Sequence, residues 1–227
     1  MAEQAQEAAP LNTAIAEAAH GVTLALREGG PYALSRVLRP EDPLTPAAVR
    51  ILGADVLLPY AAGRPEQRDP ADETVVRRSL TAYPPSAGSA VSAWSHHGLT
   101  EAARQLLPAA WPASGEPDKG WTEAEPWPRL AHQVSQLAAL AVPGLAVDLE
   151  ERLAPRVVDL SRGFVRAVRR RDWLQAAGLG RWLARLPDVP DTLGLDAGLA
   201  FVGNWGAADP RVVLHVVAAD RLFGRGR

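Results

Sequence analysis

At 227 residues, 47% of them hydrophobic and 22% charged, the chain is long enough to bury a substantial core and is not composed like a disordered segment. A formal net charge of −2 removes the basic excess on which non-specific nucleic-acid binding depends, so no nucleic-acid partner is expected. The absence of cysteine excludes disulfides, a thiolate nucleophile and Cys-ligated zinc or iron–sulfur sites, and fits a cytoplasmic protein.

Lys119 is the only lysine and the remaining cationic side chains are arginines; with abundant alanine and proline, this resembles the coding bias of a GC-rich bacterial genome. Met1 to Pro10 is acidic and polar, without the basic and apolar regions of a secretory signal. The longest apolar run, Leu137 to Val147, is about half a membrane span and is broken by Pro143-Gly144, so no membrane association is expected.

Helical periodicity dominates the chain. The first helix is expected from about Leu11 to Leu26, closed by Gly29-Gly30, and a short one follows Pro31. Thr45-Pro46 should open a third with Val49, Ile51, Leu52, Val56 and Leu57 on its apolar side, ending by Gly63. Asp69-Pro70 starts the next, with acid in its first turn to suit the helix dipole. Ser86 to His97 reads as a further helix stopped by Gly98, and Thr100-Glu101 begins another that ends near Trp111.

From Pro112 to Pro128 the composition turns to Pro, Gly, Glu and Trp, which predicts a loop longer than most connections and a subdomain boundary if there is one. Trp111, Trp121 and Trp127 within or beside it imply a loop packed against something. Helices resume over Pro128–Val142 and Leu145–Leu153. The clearest one spans Pro155 to about Arg171, with Val157, Val158, Leu160, Phe164, Val165 and Val168 on one face and Arg162, Arg166, Arg169 and Arg170 on the other. Trp173–Leu186 is a helix stopped before Pro187. Asp191–Val202 carries Gly194 and Gly198 for close contact, and Asp209-Pro210 opens a last, nearly all-apolar helix over Arg211–Phe223. With no clean repeat, the reading is an all-α, irregular single-domain bundle of about eight to ten helices with a long Trp/Pro/Gly-rich loop near its middle.

Chemistry is harder to locate. Glu17-x-x-His20 has metal-ligand spacing, but no second such pair exists, and no metal site is expected. Ser92, Ser95, His96 and His97 lack a nucleophile elbow and read as an exposed C-terminal turn. Asp196 and His215 each lie in a strongly apolar helix, where they would satisfy one another if the helices pack together; with His132 they are the candidate acid–base residues. The arginine stripe of Arg162, Arg166, Arg169 and Arg170, together with Trp121 and Trp127, is the candidate surface for a peptide or protein partner. Phosphate-binding glycine loops and zinc-protease motifs are missing, and no cofactor is implied.

Two functions therefore compete. The first is a non-catalytic helical module that binds a peptide or protein. The second is an enzyme or ligand-binding protein of bacterial secondary metabolism, with a Trp-lined pocket for a hydrophobic small molecule. A haem or di-metal protein is a third, more distant reading.

Overall fold

Two of the three acceptor–proline pairs cap their helices. Asp69 accepts a hydrogen bond from the Ala71 amide at 2.9 Å, and Asp209 accepts one from the Arg211 amide at 3.0 Å. Thr45 does not follow them. It is the first helical residue rather than the cap, and its hydroxyl donates to the Arg39 carbonyl oxygen at 2.8 Å.

The computed structural model describes residues 2–29, 32–61 and 69–224, and among these the fold is all-α, with no strand. The expectations placed on Gly30, Pro31 and Gly63 lie outside the described residues. The chain divides into two compact units, residues 1–115 and 116–227, each with its own interior.

The N-terminal unit holds α1 (Ala2–Glu28), α2 (Leu34–Val37), α3 (Thr45–Leu52), α4 (Pro70–Ala82) and α5 (Ala90–Leu106). Helix α1 begins nine residues before the first strong apolar periodicity and carries Pro10 inside it; Gly29, at φ +66°, closes it as expected. Helix α3 does not run on through Val56 and Leu57. Gly53 turns the chain at φ +60°, and Gly53–Ala61 continues as a buried 3₁₀ stretch against which α1 and α5 pack. Ile51, expected on the apolar side, is thereby left exposed.

The two helices anticipated around Gly98 are one. Helix α5 passes through Gly98, which is buried, because Leu99, Ala102 and Ala103 continue the apolar face set by Trp94. Its cap is Ser89, whose hydroxyl accepts from the Ser92 amide at 3.2 Å.

From Leu107 to Gly120 no helix forms. The C-terminal unit then contains α6 (Trp121–Ala124), α7 (Trp127–Gln136), α8 (Val147–Leu153), α9 (Val157–Arg169), α10 (Trp173–Arg185), α11 (Leu195–Trp205) and α12 (Pro210–Phe223). Helix α10 is its hub: α7, α9, α11 and α12 all pack on it, so every residue from Ala176 to Ala184 is buried. Gly178 and Gly180 permit this crowding, since an added Cβ would lie 2.5 Å from the Ser135 carbonyl oxygen and from the Leu199 side chain, and the Trp182 indole N–H donates to the Leu137 carbonyl oxygen at 3.1 Å. Asp172 caps α10 through the Gln175 amide at 3.3 Å, and Leu186 turns extended before Pro187.

Gly194 and Gly198 part ways. Gly198 faces Phe164, where an added Cβ would lie 3.0 Å from the ring. Gly194 faces open space and is needed for its left-handed backbone, φ +59°, which separates a 3₁₀ turn over Asp191–Leu193 from α11. No described helix is long and apolar enough to cross a membrane.

Candidate functional site

The outer face of α9 carries the candidate site. Val157, Leu160, Phe164 and Ala167 turn inward, but the apolar arc of this helix is wider than its buried face. Val158 and Val165, expected in the core, are 50% and 37% exposed. They form the floor of a groove of about 770 Å³. Trp127, at the start of α7, stands on one side, and Pro190, Thr192 and Leu193 on the other.

All four arginines of the stripe, Arg162, Arg166, Arg169 and Arg170, line this groove. Arg162 is 3.4 Å from Asp159. Among the described residues Arg166, Arg169 and Arg170 have no ion-pair partner, and the groove lining contains no Asp, Glu or His. The Arg166 guanidinium lies 5.6 Å from the Trp127 ring centroid, within cation–π range. Ser161, on the floor, is occupied in donating to the Val157 carbonyl oxygen at 2.8 Å.

A smaller cleft of about 250 Å³ adjoins the groove across Trp127, Arg166 and Arg170. Its floor is small because α7 and α9 nearly touch: a Cβ on Gly163 would lie 2.4 Å from the Ala131 Cβ. His132, Asp172 and Gln175 complete its rim. His132 is exposed, with its Nε2 3.4 Å from Gln136 Nε2.

The remaining candidates lie elsewhere. Trp121 is buried in its own unit, packed where α6 meets α8, and takes no part in the groove. His215 is half-buried on α12, and its Nδ1 is 3.3 Å from Nη1 of the fully buried Arg181. A guanidinium only donates, so Nδ1 is the acceptor in this contact. Asp196 is exposed on the first turn of α11. The register of α11 against α12 separates the two: Gly203 sits opposite Val216 and Gly206 opposite Val212. Asp196 thus falls about two turns, roughly 12 Å, from the level of His215.

In the N-terminal unit, His96 and His97 are not on an exposed terminal turn but in the body of α5, both half-buried. Burial, then the Arg50 charge, holds the His96 ring below its ordinary value. His97 Nδ1 is 2.6 Å from the Ser114 hydroxyl, and its ring meets Trp94 edge-on. Glu101, one turn on, is drawn to Arg104 and Gln105 instead, and the Arg104 bond chiefly brings its carboxyl down to about 2.

Sequence reasoning missed one polar cluster in this unit. Asp72, an acid in the first turn of α4 and so expected to serve the helix dipole, is fully buried. Its Oδ1 accepts from the Ser35 amide at 2.7 Å and its Oδ2 from the Tyr60 hydroxyl, which itself accepts from the Leu34 amide at 2.9 Å. Tyr32 packs edge-on to Tyr60 and donates to the Val56 carbonyl oxygen at 2.9 Å. The one signal available was Tyr60 itself, a hydroxyl inside an otherwise apolar segment. The cluster ties α2 and α4 to the 3₁₀ stretch.

No protein-family model, curated protein or solved structure matches this chain.

Proposed function

We propose that the chain is a non-catalytic helical module that captures a peptide or protein partner in the groove along α9. One observation carries this reading: arginines without acid partners stand over an apolar floor that the fold itself leaves uncovered. Covering apolar surface contributes about 25 cal/mol per Å², and a carboxylate on an arginine fork adds a charge-assisted bond. With no carboxylate or imidazole in its lining, the groove has the groups to hold a ligand but not to move a proton. We propose a cytoplasmic location for such a module, a reading supported by the lack of cysteine.

A second reading is supported by the groove volume, which falls in the range of about 300–1,000 Å³ usual for small-molecule sites. On that reading the ligand is an apolar small molecule with an anionic end, consistent with a role in bacterial secondary metabolism. His132 is then the nearest acid–base group, with His215 and Asp196 outside the site.

A photoreactive amino acid placed at Val165 tests the first reading inside cells. A discrete protein adduct that disappears when Arg166 and Arg170 are both changed to Glu supports it. Adducts that persist through the charge reversal, or none at all, overturn it.

A further inference from the structure

We infer that the occupant of the groove is an acidic amphipathic α-helix lying along α9, with its apolar stripe on Val158 and Val165 and its carboxylates on the arginines. The inference rests on the module reading above and names the partner that reading leaves open.

Spacing is the first argument. Arg162, Arg166 and the Arg169–Arg170 pair recur once per helical turn, at about 0, 6 and 11 Å along the axis. A helix laid alongside repeats its acidic positions with the same pitch and meets all three levels. An extended strand offers same-side residues every 6.6–6.8 Å or so, and by the third level it is out of step by on the order of 2 Å.

The floor agrees with the walls. Val158 and Val165 are seven residues apart, two turns, which is the interval of an apolar stripe on a partner helix. Trp127 and Leu193 also line the groove, and the arginines all lie to one side of the valine line, so a helix seated there covers its apolar side while one of its edges faces the guanidinium groups.

Charge selects the sign. Arg166, Arg169 and Arg170 have no acidic neighbour within ion-pair distance among the described residues, and Arg162 shares Asp159 with Arg156. The adjoining cleft adds His132 and Gln175 as donors against a single carboxylate, Asp172, which is engaged in capping α10. A basic or neutral helix would leave the arginines uncompensated as it displaced their water.

The probe is an 18-residue peptide, acetylated and amidated, with leucine at every third or fourth position and glutamate flanking that stripe. Its fluorescence anisotropy is followed with the full chain. The expected result is saturable binding with a rise in peptide helicity by circular dichroism. Affinity should fall at least tenfold for R166E/R170E and again for Val165→Asp, which leaves every arginine in place. A peptide of equal charge and leucine content, interrupted by two prolines, should bind at least tenfold more weakly. Equal binding of the interrupted peptide overturns the helical partner while leaving the groove a peptide site. Failure of every peptide overturns the inference, and if dodecanoate then binds in an Arg166-dependent way, the module reading falls with it in favour of a small ligand.

Discussion

The Arg166 guanidinium stands over the indole of Trp127, 5.6 Å from its centroid, joining the first residue of α7 to the last turn of α9. The pairing does two things at once. It holds one side of the groove against its floor, and it restrains an otherwise mobile arginine in a position where its fork is open to a carboxylate. Cation–π contacts at exposed sites contribute about 0.5–1 kcal/mol. Trp127→Ala should therefore weaken the leucine/glutamate peptide by about twofold to fivefold, since tenfold corresponds to about 1.4 kcal/mol. Trp127→Phe should lie between. Anisotropy titrations at fixed salt check this, and an unchanged dissociation constant for Trp127→Ala would remove the ring from the binding surface.

The groove owes its shape to a close helix crossing. A methyl on Gly163 would sit 2.4 Å from the Ala131 Cβ, closer than two such atoms approach. Gly163→Ala should cost about 1–3 kcal/mol, the usual range for overpacking. Because the clash is with one named methyl, Ala131→Gly should recover part of the loss in the same molecule despite its own helix cost of about 1 kcal/mol. Urea unfolding of the two single variants and the double variant gives the coupling directly. Additive losses would show that the two helices are not limited by this contact.

How much of this was legible beforehand divides along physical lines. Local chemistry was readable: Asp69 and Asp209 cap because a carboxylate before proline has few better uses, and Gly29 ends α1 through its own backbone. The arginine stripe was readable too, since α9 is strongly two-sided. Its two outlying valines were not, because periodicity assigns a residue to an arc but not to the neighbour that covers it. Val158 and Val165 fall on the apolar side of the wheel, yet among the described residues no helix buries them. The same gap explains Asp196 and His215. Their helices do pack, but in a register that tertiary contacts set and that no single helix encodes. Gly98 misled for a related reason: a glycine in mid-helix is tolerated where it is buried.

The Tyr60–Asp72 cluster predicts an alkaline limit to stability. Burial first, and then the bond to Asp72, pushes the Tyr60 hydroxyl far above its ordinary value of 10.0; burial does the same for Tyr32. Both phenols stay protonated in the fold while the unfolded chain ionises, so their contribution is complete below about pH 10 and declines as pH rises beyond it. The decline should approach about 1.4 kcal/mol per pH unit for each tyrosine. Tyr60→Phe should lower stability at neutral pH by about 1–3 kcal/mol, because it removes a donor to a buried carboxyl and the acceptor of the Leu34 amide. It should also flatten the alkaline slope. Chemical denaturation at a series of pH values tests both effects, and a slope identical to that of the unaltered chain would refute the assignment.

Asp209 gives the opposite pH signature at the other end of the chain. Burial raises its carboxyl, but the side-chain and backbone bonds from Arg211 outweigh that, and the net shift is below the ordinary 3.8. A carboxyl held low in the fold contributes its full stability above the unfolded value and loses it as pH falls through the depressed one. Asp209→Ala should therefore cost about 0.5–2 kcal/mol at neutral pH, the usual range for a lost cap, and should differ progressively less from the unaltered chain under acid. Asp209→Asn separates the two contributions. It keeps Oδ1 for the Arg211 amide and Nε but gives up the charge and the 2.7 Å bond from Nη2 to Oδ2, so it should retain most of the stability and none of the acid dependence. Thermal unfolding of the three proteins at neutral and acidic pH distinguishes them; an alanine variant as far below the others at acidic pH as at neutral pH would mean that the cap acts through packing and not through charge.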